Sequence, residues 1–142
     1  MELRIKIIIL FLVLFIGCGE SGRATQSVLP TPVVTYTPGE IVSDIDNHIQ
    51  YYVGNTPIIL TVPHDGDIMP TTIPDRTGDI TKAENTLGIA EYFYNTFTSN
   101  GANGLYPHII INNISRSRLD PDASIEVGAP NNYSAAYFNR YH

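Results

Sequence analysis

The 142-residue sequence has few cysteines and few basic side chains. Its single cysteine, Cys18, excludes an intramolecular disulfide, so the fold must be stabilised by packing or by a metal. Eight basic residues stand against 14 acidic ones, and the formal net charge is −6. This balance argues against nucleic acid as a partner. The HExxH, CxxC, GxSxG and Walker motifs are absent too, so several common catalytic sites are not indicated.

The amino terminus has the pattern of a secretory signal. "MELRIK" carries Arg4 and Lys6, and residues 7–16 are all apolar. Such a run would rise about 15 Å as a helix, which is half of a bilayer core of about 30 Å. It is too short to span a membrane and is typical of a signal-peptide core. We therefore predict that residues 1–17 are a signal peptide.

The cysteine follows this run directly, in "FIGC", which resembles a bacterial lipobox. This pattern predicts cleavage before Cys18, acylation of its thiol and attachment to a membrane by lipid. The expected protein is an extracytoplasmic lipoprotein, and the alternative is a secreted protein with a free cysteine. Residues 18–40 are rich in Ser, Thr, Gly and Pro and predict a tether, followed by a domain over residues 41–142.

The domain shows an alternation of strand and helix signals. Strands are predicted in "IQYYVG", "IILTV" and "HIIINN", with a helix between the second and third and another in "NNYSAAYFNRYH". The order strand, helix, strand favours a crossover between parallel neighbours. We expect an α/β fold with a mainly parallel sheet and flanking helices. Because such a sheet normally needs a longer chain, we also expect this domain to be incomplete.

Polar residues follow two of these strands where each strand ends. His64 comes after the second strand, and Arg116 and Asp120 come after the third. Open α/β sheets bind ligands at the carboxyl ends of their strands. If the two strands pair in parallel, we expect these three side chains to lie at one edge.

The residue types at this edge suit the hydrolysis of an amide bond. His64, Asp65 and Asp67 offer an imidazole and two carboxylates to a divalent metal, which would activate water and polarise a carbonyl. Arg116 could present a planar fork to a substrate carboxylate. A carboxylate such as Asp120 could orient a histidine or accept a proton.

Simpler interpretations stay open beside this one. His64 is also typical of a hydrogen-bonded turn residue, and Asp65 and Asp67 could cap their own backbone. The charged residues of "RSRLDPD" could form an exposed ion-pair cluster of little energetic value. Asp75 and Arg76 could be a structural pair that holds their loop.

Together, "TVPHDGDIMPTTIPDR", the "ENT" helix start and "GLYPHIIINNISRSRLDPD" resemble the N-formylglutamate amidohydrolase-like proteins, over roughly residues 57–142. That family pattern has Pro-His-Gly-Gly after a strand, Ile-Pro-Asp-Arg, Pro-His before an apolar strand, and Arg-x-Lys-Leu-Asp. The resemblance implies an α/β fold like that of the zinc carboxypeptidases and phosphorylase/hydrolase-like proteins. It implies metal-dependent hydrolysis of an N-acylated amino acid or a related small molecule that carries a carboxylate.

By this resemblance His64 is the first ligand of zinc or another divalent metal, with Asp67 as a further possible ligand. Arg116 falls on the substrate-binding arginine of the pattern. Asp120 and Glu84 are the candidates for the catalytic carboxylate. The family's "PDR" and Pro-His positions are matched in this sequence by Arg76 and His108.

The sequence also departs from the pattern. Asp65 replaces a glycine, Met69 replaces an acidic residue, and Ala83 stands at the helix-opening aspartate. Ala123 replaces an arginine, and the family's later Asp-x-His-Gly segment, a source of another ligand, has no counterpart here. These departures support an alternative function, a non-catalytic surface lipoprotein of the same fold that binds a ligand or partner. A third interpretation is a packing-only domain with no site.

Overall fold

A four-stranded sheet with helices on both faces forms the centre of the fold. The computed structural model describes residues 34–99 and 104–142, which belong to the compact unit Val34–His142. The predicted signal peptide, Cys18 and most of the predicted tether lie outside these residues. The elements in chain order are β1 Ile41–Ser43, β2 Ile49–Tyr52, β3 Ile59–Val62, α1 Thr86–Ser99, β4 His108–Asn112, α2 Ile125–Gly128 and α3 Asn132–Tyr141.

The strand order is β1-β2-β4-β3. The pairing of β3 with β4 is parallel, with Leu60 opposite Ile109, and α1 makes the crossover between them. The predicted strand, helix, strand unit is therefore confirmed. The other two pairings, β1 with β2 and β2 with β4, are antiparallel.

The sheet is thus mixed, and the prediction of a mainly parallel sheet is wrong for the described residues. One reason is the connection between β1 and β2, which consists of residues 44–48 only. A parallel crossover needs a dozen or more residues, so this turn permits only an antiparallel pair. The short strand β1 was not recognised from the sequence, and with it the antiparallel edge was missed.

Each face of the sheet has its own apolar core. Val62, Ile109 and Ile111 point to one face and pack with Ala90 of α1. Ile49 points to the other face and packs with Phe138 and Tyr141 of α3 and with residues of the loops beyond β3 and β4. Within the described residues, no helix is long and apolar enough to cross a membrane.

Capping interactions fix the starts of the two longer helices. The Asn131 side chain accepts a hydrogen bond from the Ser134 backbone at 2.9 Å, and the Ser134 hydroxyl accepts one from the Asn131 backbone at 3.0 Å. This capping box begins α3. Helix α1 is capped from a distance, because Asp65 accepts a hydrogen bond from the Leu87 backbone at 2.8 Å. The loop that follows β3 thereby sets where α1 begins.

Candidate functional site

Two loops lie side by side where β3 and β4 end. An isolated parallel bridge joins Ile68 to Ile114, so the two segments of the chain stay paired beyond the ends of β3 and β4. Gly66 makes this approach possible, because a Cβ there would lie 2.2 Å from the Asn113 carbonyl carbon. The buried Asn112 side chain donates to the Pro63 carbonyl at 2.8 Å and ties the loops together once more.

His64 and Asp120 meet across these loops, as the parallel pairing predicts. The His64 Nε2 atom is 2.7 Å from Asp120 Oδ1, and both residues are buried. Asp122 is largely exposed, and its Oδ2 atom lies 3.7 Å from the same nitrogen. Both interpretations of His64, a hydrogen-bonded turn residue and a metal ligand, are compatible with this contact.

Two arginines hold the other oxygen of Asp120. Arg76 Nη2 is 2.6 Å and Arg116 Nε is 3.2 Å from Asp120 Oδ2. The Asp122 backbone donates to Oδ1 at 3.1 Å. An ionised carboxylate has about four acceptor positions, and His64, the two arginines and this amide supply four donors. The Asp120 carboxylate is thus saturated with hydrogen bonds.

The charges of this cluster fix the protonation of Asp120. Burial by itself raises the pKa of the Asp120 carboxyl, but hydrogen bonds from His64 and Arg116 outweigh it, and the pKa lies below its ordinary value. Asp120 is therefore an anion at neutral pH. Since an anionic carboxylate only accepts, His64 must donate from Nε2. No hydrogen bond within the described residues occupies the other ring nitrogen, Nδ1.

Arg116 connects this buried cluster to the surface. Its Nη1 atom donates to Asp79 Oδ2 at 2.9 Å and to the Thr81 carbonyl at 3.0 Å. Hydrogen bonds from Thr81, with a smaller effect of the Arg116 charge, hold the pKa of the Asp79 carboxyl below its ordinary value. Among the described residues, no partner binds Arg116 Nη2, so this side chain keeps one donor group for a further acceptor.

Two of the predicted site residues do not join the cluster. Asp67 is exposed and pairs with Lys82, whose Nζ atom is 2.7 Å from its Oδ2. Glu84 is exposed, and no hydrogen bond or ion pair connects it to His64 within the described residues. It borders a shallow hollow beside the start of α1, together with Asp65.

The side chains around His64 show how far the described residues fit the predicted metal site. Zinc-binding histidines usually donate their second ring N–H to a carboxylate, which is what His64 does with Asp120. Yet no group of three His, Cys, Asp or Glu side chains that could hold a metal occurs in residues 34–99 and 104–142. The described residues therefore do not by themselves fit a metal centre, although His64 has the surroundings of one ligand.

Arg76 is the site residue that sequence reasoning did not assign. The predicted pair between Asp75 and Arg76 is wrong, because Asp75 binds Arg118 at 3.1 Å. Arg76 is buried and also donates to the carbonyl of Arg116 at 2.6 Å. The only signal for its role is the "PDR" match, since a contact across 44 residues leaves no local pattern.

His108, the histidine at the start of β4, lies far from this cluster. Its Nδ1 atom accepts a hydrogen bond from the Gly54 backbone at 3.0 Å and contacts the Tyr51 hydroxyl at 2.6 Å. Its ring stacks on Tyr51 with centroids 5.7 Å apart. His108 is thus a packed residue at the opposite end of the strands from His64.

Comparisons with protein-family models, with curated proteins and with solved structures found no significant match to this chain. The family assignment therefore stays a prediction.

Proposed function

We propose that this chain contributes part of the active site of a metal-dependent amidohydrolase related to the N-formylglutamate amidohydrolase-like proteins. Its substrate would be an N-acylated amino acid or a related small molecule with a carboxylate. One observation carries the proposal: His64 donates Nε2–H to the anionic Asp120, which leaves its Nδ1 lone pair for a metal or a proton. Parallel β3 and β4, with the cluster at their carboxyl ends, support the zinc-carboxypeptidase-like fold as part of the proposal.

Asp120 acts in this proposal as a positioning residue. Its low pKa and its full set of donors make it a poor proton acceptor. It would instead hold the His64 ring in one orientation and one tautomer. Arg76 and Arg116 would keep Asp120 charged and fixed.

Arg116 would bind the substrate carboxylate. Its Nε and Nη1 atoms are held by Asp120 and Asp79, so the guanidinium plane is fixed before a substrate arrives. The remaining Nη2 group faces no partner among the described residues. A charge-assisted hydrogen bond from this group is what a carboxylate ligand requires.

Zinc, or another divalent metal, remains the proposed cofactor, with His64 as one ligand. A bound zinc ion would lower the pKa of a coordinated water to about 7. The described residues supply neither a complete ligand set nor an assigned proton acceptor. The proposal for this chain's own residues is therefore limited to His64 as a ligand, Asp120 as its positioning residue and Arg116 as the carboxylate-binding residue.

Metal content of the purified full-length protein tests the role of His64. We expect stoichiometric zinc in the wild type, loss of zinc in His64→Ala, and retention in the control His108→Ala, which removes the histidine at the opposite end of the strands. Hydrolysis of N-formyl amino acids should disappear with the zinc. Equal metal content in the wild type and His64→Ala would refute the metal-ligand role.

The same assays test Arg116. The guanidinium of Arg116 can bind Asp120 and Asp79 and still offer Nη2 to a substrate carboxylate, whereas a lysine ammonium cannot do so in the same geometry. Arg116→Lys should therefore raise KM by about tenfold with little change in kcat. Arg140→Lys, at an exposed arginine of α3, is the matched control and should leave KM unchanged. An unaltered KM in Arg116→Lys would remove the substrate-binding role.

A second candidate function is a non-catalytic surface protein of the same fold. The specific observation in its favour is that Asp120 has all of its acceptor positions filled from within the chain. Such a cluster could serve only to join the two loops. This candidate predicts that His64→Ala lowers the melting temperature, whereas neither zinc nor hydrolysis is found in the wild type.

A further inference from the structure

Five side chains of the candidate site form one continuous row in which carboxylates alternate with nitrogen groups. Asp79 Oδ2 lies 2.9 Å from Arg116 Nη1, and Arg116 Nε lies 3.2 Å from Asp120 Oδ2. The other Asp120 oxygen is 2.7 Å from His64 Nε2, which is 3.7 Å from Asp122 Oδ2. The row therefore begins and ends with a carboxylate, Asp79 at one end and Asp122 at the other.

The two ends of the row are exposed, whereas its middle is buried. The side chains of Asp79 and Asp122 are 61% and 60% exposed, but that of Asp120 is only 6% exposed. The two guanidinium groups of Arg76 and Arg116 stand against these three carboxylates, so the cluster has a formal excess of negative charge when His64 is neutral. A ligand at this site would meet that excess at the two exposed ends.

The surroundings of the row are acidic as well. Lys82 follows Asp79 on the same loop, but its ammonium group already lies 2.7 Å from Asp67 and 3.5 Å from Asp65. The whole chain carries a formal net charge of −6. The summed field of these charges attracts cations and repels anions that approach the site.

We propose that Asp79 and Asp122 are specificity-determining residues, and that they favour N-acylated amino acids with a neutral or basic side chain over those with an acidic one. This inference rests on the proposed function, in which Arg116 binds the substrate carboxylate and His64 lies at the reacting amide. A substrate that reaches from Arg116 Nη2 to His64 Nδ1 lies along the row. Both end carboxylates then act on the charge of its side chain.

The first carboxylate of a substrate and a second one would meet different charges. Arg116 already faces Asp79 and Asp120, and a bound substrate carboxylate would be the third anion on its guanidinium group. The arginine therefore has little charge left to offset a fourth. A carboxylate on the substrate side chain is repelled by Asp79 and Asp122, whereas an ammonium group there is attracted to them.

The expected size of this selection follows from Coulomb's law. Two unit charges about 6 Å apart in water-like surroundings change a binding constant roughly threefold. The two ends of the row together should therefore give a preference of about tenfold for a neutral side chain over an acidic one.

Binding of three Nα-acetyl amino acids to the purified full-length protein, measured by ligand-observed NMR titration, tests the proposal. Acetylglutamine and acetylglutamate have nearly the same shape and differ by one negative charge. We expect the wild type to bind acetylglutamine about tenfold more tightly than acetylglutamate. Acetyllysine should bind at least as tightly as acetylglutamine.

Two charge-removing variants test the residues themselves. Asp79→Asn and Asp122→Asn should each reduce the preference for acetylglutamine about threefold, because each removes one end charge. A purely structural effect would change the affinity for both ligands alike and leave their ratio unaltered. Glu40→Gln is the matched control, since it removes an exposed carboxylate that precedes β1, at the opposite end of the sheet. It should keep the full preference.

The ratio of affinities needs neither zinc nor turnover, so failure of this inference is distinguishable from failure of the proposed function. A wild type that shows the preference but has no zinc and no hydrolysis would refute the amidohydrolase and support the selection by charge. Three results would each overturn the proposal: equal or tighter binding of acetylglutamate by the wild type, no binding of any of the three ligands, or an unchanged ratio in both Asn variants.

Discussion

Asp120 is the residue on which the candidate site depends. Its carboxylate contacts one histidine and two arginines: His64 and Arg76 from the loop after β3, and Arg116 from its own loop. Removing its charge would leave the buried guanidinium of Arg76 without a counter-ion, and this costs more free energy of unfolding than the loss of the contacts themselves.

We predict that Asp120→Asn lowers the free energy of unfolding by about 3–5 kcal/mol at pH 7. Urea denaturation at several pH values checks this. The control is Asp75→Asn, at an exposed aspartate that pairs with Arg118. This substitution should lower the free energy of unfolding by less than about 1 kcal/mol.

The pH dependence follows from the lowered pKa of Asp120. An unfolded aspartate has a pKa of about 3.9, so the stabilisation is complete above that value and is lost as the pH falls through the lower folded pKa. The difference in free energy of unfolding between wild type and Asp120→Asn should therefore shrink below about pH 4. A difference that stays constant from pH 7 to pH 3 would show that the Asp120 charge is not the source of the stability.

At the scale of elements, the close approach of the loops after β3 and β4 depends on Gly66. We predict that Gly66→Ala lowers the free energy of unfolding by about 1–3 kcal/mol, because the new Cβ would meet the Asn113 backbone. Gly88→Ala is the matched control. No atom lies within 4 Å of a Cβ at this helical position. Because alanine favours a helix more than glycine does, Gly88→Ala should raise the free energy of unfolding by about 0.5–1 kcal/mol.

Thermal and urea unfolding of the two variants provides the measurement. We expect the free energy of unfolding to fall in Gly66→Ala and to rise in Gly88→Ala. If Gly66→Ala were as stable as wild type, the loops would have room to separate, and the distance between His64 and Asp120 would not be set by this contact.

The elements also show how far the sequence could be interpreted. The parallel pairing of β3 and β4 was predictable, because a helical segment of sufficient length separates two apolar strands. That pairing alone brought His64 and Asp120 to one edge. The antiparallel side of the sheet was not predictable, because β1 has only three residues and its partner is chosen by tertiary contacts.

The contacts of the site residues were less predictable than their positions. Arg76 lies in a proline-containing loop without periodicity, and nothing local distinguishes a bond to Asp120 from one to its neighbour Asp75. Asp67 has the residue type and spacing of a ligand, but Lys82 neutralises it from the next loop. Partner choice among several charges depends on the fold as a whole.

At the scale of the whole molecule, we predict a lipid anchor on Cys18, which lies outside the described residues. Cell fractionation should find the wild type in the membrane fraction and Cys18→Ser in the soluble extracytoplasmic fraction, because the serine hydroxyl cannot receive the lipid. Substitution of Ser21 by alanine is the control and should leave the distribution unchanged. Equal distribution of wild type and Cys18→Ser would favour a secreted protein or another mode of attachment.

The bridge between Ile68 and Ile114 has a consequence for how the site would respond to a ligand. It adds one backbone contact beyond β3 and β4, so the loop that carries His64 is joined to the segment after β4 both before and after the histidine. This second contact helps to set the separation of His64 from Asp120 when the chain folds. The His64–Asp120 pair is thus positioned before a ligand arrives, and little of the binding energy would be spent in ordering it.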